Sequence, residues 1–80
     1  MHYVYIIVSV KQPERYYVGM TNHVCGRLRQ HNQGIVQSTA PFKPWRLRTA
    51  ICFSRKDRAA DFERYLKTGS GIAFLRKRLL

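Results

Sequence analysis

Acidic residues are scarce in this chain: four Asp and Glu stand against fifteen Lys and Arg over 80 residues, a formal net charge of +11. Such a surplus repels other cationic surfaces and attracts polyanions. The basic residues run from Lys11 to Arg78 and do not gather in a tail, which argues for a folded cationic surface over a disordered arm. Nucleic acid is the expected partner, and a membrane is not. Cysteine is also sparse. Cys25 and Cys52 form no CxxC pair and no zinc-ligand spacing, so they are expected as small, partly buried thiols. No apolar run approaches the ~18 residues of a membrane span. The opening YVYIIVSV is too short, and wrongly flanked, for a signal peptide. A soluble, cytoplasmic protein is expected. Repeats and low-complexity tracts are absent. What remains is an ordinary globular composition, 45% hydrophobic and 12% aromatic, expected to form one domain over residues 1–80 with a modest core.

Residues 3 to 10 read as a strand with a period of two, and both of its faces are apolar. It is therefore expected at the centre of a sheet, covered on both sides. A short polar loop, Lys11 to Arg15, leads to a second strand, Tyr16 to Met20, in antiparallel pairing. Thr21 or Asn22 is a candidate cap for a helix over about residues 22 to 33, with Val24 and Leu28 as its apolar stripe and Gly34 as its stop. Ile35 to Pro44 reads as a loop and Trp45 to Phe53 as a third strand alternating strictly between faces. Ser54 and Asp57 have the spacing of a capping box before a helix over about 56 to 68, with Ala59, Phe62 and Leu66 facing the core. Thr68 to Gly71 interrupts it, and a last helical piece spans Ile72 to Leu79. The expectation is an α+β fold: a small three-stranded antiparallel sheet flanked by helices, in the order β-β-α-β-α-α.

Several side chains in this scheme converge. Tyr5 and Tyr17 lie on adjacent strands and can share a face, beside a Gly19 that leaves room for close approach. Taken singly, each tyrosine is better read as packing, because aromatic residues favour strands. Arg27 and His31 stand at i and i+4 on the first helix, so they stack along one side. Glu63 is one of the four acids. It lies about 60° from Leu66 around its helix and so borders the buried stripe. Its bland role is a surface pair with Lys67. Its chemical role would be to hold a hard divalent cation, which prefers carboxylate, water and phosphate oxygens.

These residues carry a resemblance. Tyr3-Val4-Tyr5 and Tyr17-Val18-Gly19 resemble the two halves of the GIY-YIG nuclease signature. Arg27-Leu28-Arg29-Gln30-His31-Asn32 is similar to that family's R-x-x-x-H-N segment. Ser38-Thr39 with Pro41 to Trp45, and the run Glu63 to Gly71, resemble the loop, third strand and E-x-x-L-K-[ST]-G-x-G close of its small stand-alone bacterial members. The resemblance spans nearly the whole chain. It departs at Tyr-Val-Tyr in place of Gly-Ile-Tyr, and at Ile72 where a basic residue is frequent.

The resemblance implies a metal-dependent endonuclease that hydrolyses DNA phosphodiesters, on branched or damaged DNA, with Mg²⁺ or Mn²⁺ held by Glu63. It implies that Tyr5 and Tyr17 position and deprotonate the attacking water, and which of them is the base stays open. A free phenol is a poor base at neutral pH. A neighbouring cation and arginine are expected to favour its phenolate. Arg27 would neutralise the scissile phosphate, with His31 assisting proton transfer or phosphate binding. Gly19, Asn22, Lys43 and Lys67 are candidate nucleic-acid contacts. A protein partner is expected to supply specificity. Two rivals stand beside this reading. One is a catalytically weak nucleic-acid-binding module on the same scaffold. The other is a basic RNA-associated protein that stacks bases on Tyr16, Phe42 and Trp45.

Overall fold

A computed structural model describes all 80 residues. Strands β1 (His2–Ser9), β2 (Tyr16–Thr21) and β3 (Trp45–Phe53) form one antiparallel sheet in the order β2-β1-β3. Helix α1 (Val24–Gln33) follows β2, while α2 (Lys56–Tyr65) and α3 (Gly69–Arg78) follow β3. A single 3₁₀ turn, Ala40–Phe42, lies in the loop before β3. No helix is long and apolar enough to cross a membrane.

The two-sided apolar pattern of β1 has the expected cause. Val4 and Ile6 face one way, into a cluster with Val18, Ala59, Leu66 and Leu75 from beneath α2 and α3. Tyr5 and Ile7 face the other way, with Trp45, Leu28 and Phe42 on the α1 side. The sheet is thus sandwiched between α1 and the α2/α3 pair. Leu66 and Leu75 are fully buried, and each contributes about 2–3 kcal/mol by leaving water.

Strand β3 does not alternate strictly. Ile6 pairs with Thr49 and the next residue, Ile7, pairs with Leu47, so Arg48 is an extra residue bulged out of the ladder. A shift of one residue exchanges the faces of a strand. Trp45 therefore joins the α1-side cluster while Phe53 packs into the α2/α3 cluster, although strict alternation expected both on one face. The bulged Arg48 turns outward and donates to the Leu80 carbonyl at 2.7 Å.

Helix ends also differ from expectation. Residue His23, not Thr21 or Asn22, caps α1: its Nδ1 accepts from the Gly26 N–H at 2.9 Å, and Thr21 Oγ1 accepts from the His23 N–H. Gly34 ends α1 in the left-handed conformation, as its position predicts. Ser54 is not a cap. Arg55 occupies that place without a side-chain bond, and Asp57 pairs with Arg55 instead. The run Thr68 to Gly71 interrupts the helices but also starts one: Thr68 Oγ1 accepts from the Gly71 N–H, and α3 begins at Gly69. Gly71 is needed there because a Cβ would lie 1.6 Å from the Tyr65 carbonyl oxygen. Cys25 and Cys52 are exposed, not partly buried, because both fall on positions outside the two clusters.

Candidate active site

The site forms where β1, β2 and α1 meet. In the hairpin register Tyr5 faces Gly19, and Ile7 faces Tyr17. A Cβ on Gly19 would lie 2.5 Å from the Tyr5 hydroxyl oxygen. The phenol therefore extends across β2 through the gap that the glycine leaves. The opening at Gly19, expected to admit a ligand, is filled by Tyr5.

His31 is the buried residue of α1. Its stripe explains this: Val24, Leu28 and His31 stand at i, i+4 and i+7, so the imidazole continues the apolar face. There Nε2 lies 2.8 Å from the Tyr5 hydroxyl, and Nδ1 lies 2.7 Å from Thr39 Oγ1. Tyr17 completes the group, with its ring centroid 5.0 Å from that of His31 and 6.3 Å from that of Tyr5. Tyr5, His31 and Thr39 are almost wholly buried, whereas Tyr17 and Arg27 are half-buried.

Charge reaches this pocket from two helices. Burial pushes the Tyr5 phenol above its ordinary pKa; the hydrogen-bonding and charge of Arg27 oppose this, and the charges of Tyr17 and Glu63 add to it. Burial also lowers the His31 pKa, and the nearby Arg27 guanidinium lowers it further. The imidazole is thus neutral at neutral pH, and Tyr5 is a neutral phenol. At Tyr5 burial outweighs the arginine. Glu63 acts on Tyr5 although α2 lies on the other side of the sheet. Strand β2 is an edge strand, so no further strand separates the two layers there. Glu63 keeps 22% of its side-chain surface exposed and accepts from Lys67 Nζ at 2.5 Å. The surface pair with Lys67 expected of it is formed.

The outlying candidates are less gathered. Asn22 lines an open polar groove of about 680 Å³ with Arg27, Arg29 and Gln30. Lys67 borders a smaller groove with Tyr16 and Tyr17. Lys43 is exposed beside Gly34 at the C-terminal end of α1 and lines neither groove. Thr39 was not singled out by the sequence as a site residue. It lies in a loop without periodicity, and only the odd placement of His31 on an apolar stripe signals that a buried partner is needed.

A family model described as the GIY-YIG catalytic domain matches residues 1–72. The chain belongs to the GIY-YIG family. The match takes in both tyrosines, α1 and Glu63 of the site. A structure-specific endonuclease subunit SLX1 homolog from Giardia intestinalis is 37% identical over 65 aligned residues, 76% of this chain. The chain spans 18% of that relative's length. GIY-YIG nucleases generally use a divalent metal. No three His, Cys, Asp or Glu side chains cluster anywhere in the molecule. A single carboxylate such as Glu63 would fit a hard cation that takes its remaining oxygens from water and phosphate.

Proposed function

We propose that residues 1–80 act as one nuclease domain that uses Mg²⁺ or Mn²⁺ to hydrolyse phosphodiester bonds in branched or damaged DNA. The observation that carries this reading is the buried contact of the Tyr5 hydroxyl with His31, 2.8 Å apart and beside Tyr17, in a phenol that also feels the charges of Arg27 and Glu63. Glu63 would hold the cation, whose chemistry is to stabilise charge on the phosphate and the leaving oxygen. Lys67 must swing away from Glu63 for this, and at 58% side-chain exposure it is free to turn toward phosphate. Arg27 meets a non-bridging oxygen with its forked donors.

Tyr5 is the better candidate for the base. A neutral phenol can take a proton only while giving its own away. Tyr5 has an acceptor at 2.8 Å in His31, whereas the Tyr17 hydroxyl makes no hydrogen bond within the chain. Tyr5 is nearly buried, so the water must arrive along the half-buried Tyr17 and Arg27. Tyr17 then orients it. The relative's name, a subunit of a structure-specific endonuclease, supports structured DNA and a protein partner for this chain. RNA is the alternative substrate.

The test is a panel of flaps, forks, junctions, single strands and RNA with Mg²⁺ or Mn²⁺. Glu63→Ala should abolish cutting while salt-sensitive binding persists. Binding without any cutting by wild-type protein would make the chain a nucleic-acid-binding module. Equal cutting by wild type and Glu63→Ala would assign the activity to a contaminant.

A further inference from the structure

We infer that Thr39 is a positioning residue for this hydrolysis: by accepting the His31 Nδ1–H it fixes the imidazole tautomer whose Nε2 lone pair takes the proton of Tyr5. The inference rests on the nuclease reading above and adds a residue to it.

The direction of the chain of hydrogen bonds follows from its Thr39 end. Thr39 Oγ1 donates to the Val36 carbonyl oxygen at 3.3 Å. A carbonyl oxygen only accepts, so the single hydroxyl proton of Thr39 is committed there. The contact with His31 Nδ1 at 2.7 Å must then be made by the Nδ1–H. A neutral imidazole carries one proton, which leaves Nε2 as an acceptor. The Tyr5 hydroxyl lies 2.8 Å from Nε2 and donates to it.

Thr39 is itself held. Its carbonyl accepts from the Trp45 indole N–H at 2.8 Å, and its amide donates to the Val36 carbonyl at 3.1 Å. Trp45 in turn is clamped by Asn32, whose side chain accepts from the Trp45 N–H and donates to the Trp45 carbonyl. The loop before β3 thus becomes a rigid backing for His31. In the reaction the proton of the attacking water passes to the Tyr5 oxygen while the Tyr5 proton passes to Nε2. The imidazolium so formed keeps its Nδ1–H on Thr39, and oxygen from water forms the new bond to phosphorus as the leaving oxygen departs with the bonding pair and takes a proton from solvent. The charged or titratable groups facing His31 during this transfer are Tyr5 on β1, Tyr17 on β2 and Arg27 on its own helix, with Glu63 of α2 acting through Tyr5.

Two measurements test this on the full chain. The first is the ¹⁵N NMR pattern of His31 at neutral pH, which reports the tautomer without any need for activity. The Nδ1–H form is expected in the wild type, and its loss in Thr39→Val. The second is steady-state cleavage. Thr39→Val should lower kcat about 100-fold with KM nearly unchanged, and Thr39→Ser should restore most of it. A wild type in the Nε2–H form overturns the assignment, and so does cutting that survives Thr39→Val. If Thr39→Val does not fold, the wild-type tautomer and the Thr39→Ser rate still decide. A wild type that cuts nothing overturns the nuclease reading instead, and this assignment falls with it.

Discussion

The two faces of this sheet are closed by different physics. Toward α2 and α3 the contact is aliphatic: Val4, Ile6, Val18, Ala59, Leu66 and Leu75. Toward α1 the apolar residues Ile7, Trp45, Leu28 and Phe42 share the layer with a buried phenol, a buried imidazole and a buried hydroxyl joined by hydrogen bonds. Every buried polar side-chain atom has a partner, so the polar face carries no desolvation penalty left unmet. Its net contribution is still modest, because hydrogen bonds replace water contacts. The comparison teaches a division of labour. One face holds the fold together, and the other spends part of its core on groups that can move a proton.

The largest expected effect falls on the aliphatic face. Leu75→Ala should cost about 2–5 kcal/mol in denaturant unfolding, with cleavage per folded molecule unchanged. Gly71→Ala should be comparably harmful, since its Cβ would meet a backbone oxygen that cannot step aside. Were either variant to lose activity while keeping its stability, the division would be false. Gly19→Ala tests the other face. Its Cβ would push the Tyr5 hydroxyl away from His31, so the loss of stability should be about 1–3 kcal/mol and the loss of cutting disproportionately larger.

Acidification sharpens the contrast further. Burial holds the His31 pKa down in the folded state, so as pH falls the unfolded chain takes up this proton first. The contribution is fully present above the ordinary value of about 6.5 and is lost as pH falls through the lower folded value. Thermal melts between about pH 7.5 and about pH 5 should show the decline, and His31→Gln should flatten it. The smallest effect is expected at the α2 terminus. Ser54→Ala should change stability by less than about 0.5 kcal/mol, because Ser54 makes no capping bond.

Much of this was legible in the residues. The apolar alternation of β1 and the hairpin loop specify a central strand and its partner, and the order of the elements follows. Of the residues marked by type and spacing, Tyr5, Tyr17 and His31 meet as one group of rings, and the charges of Arg27 and Glu63 act on the Tyr5 phenol. What stayed hidden depends on contacts distant in sequence. The Tyr5 phenol is raised by burial that no local pattern reports. Thr39 meets His31 through a loop whose conformation is set by Trp45 and Asn32. The bulge at Arg48 has no mark in a strand that alternates well on paper.

That bulge has a consequence for how the chain tolerates change in length. It splits β3 into two segments with separate allegiances: the part carrying Trp45 answers to the proton path, and the part carrying Phe53 answers to the aliphatic layer. Deleting Arg48 would remove only the unpaired residue, leave Leu47 and Thr49 on their present partners and keep Trp45 and Phe53 on opposite faces, so both turnover and cohesion should survive it. Adding or removing a residue beyond Thr49 would turn Phe53 outward, and the chain would register it as lost cohesion.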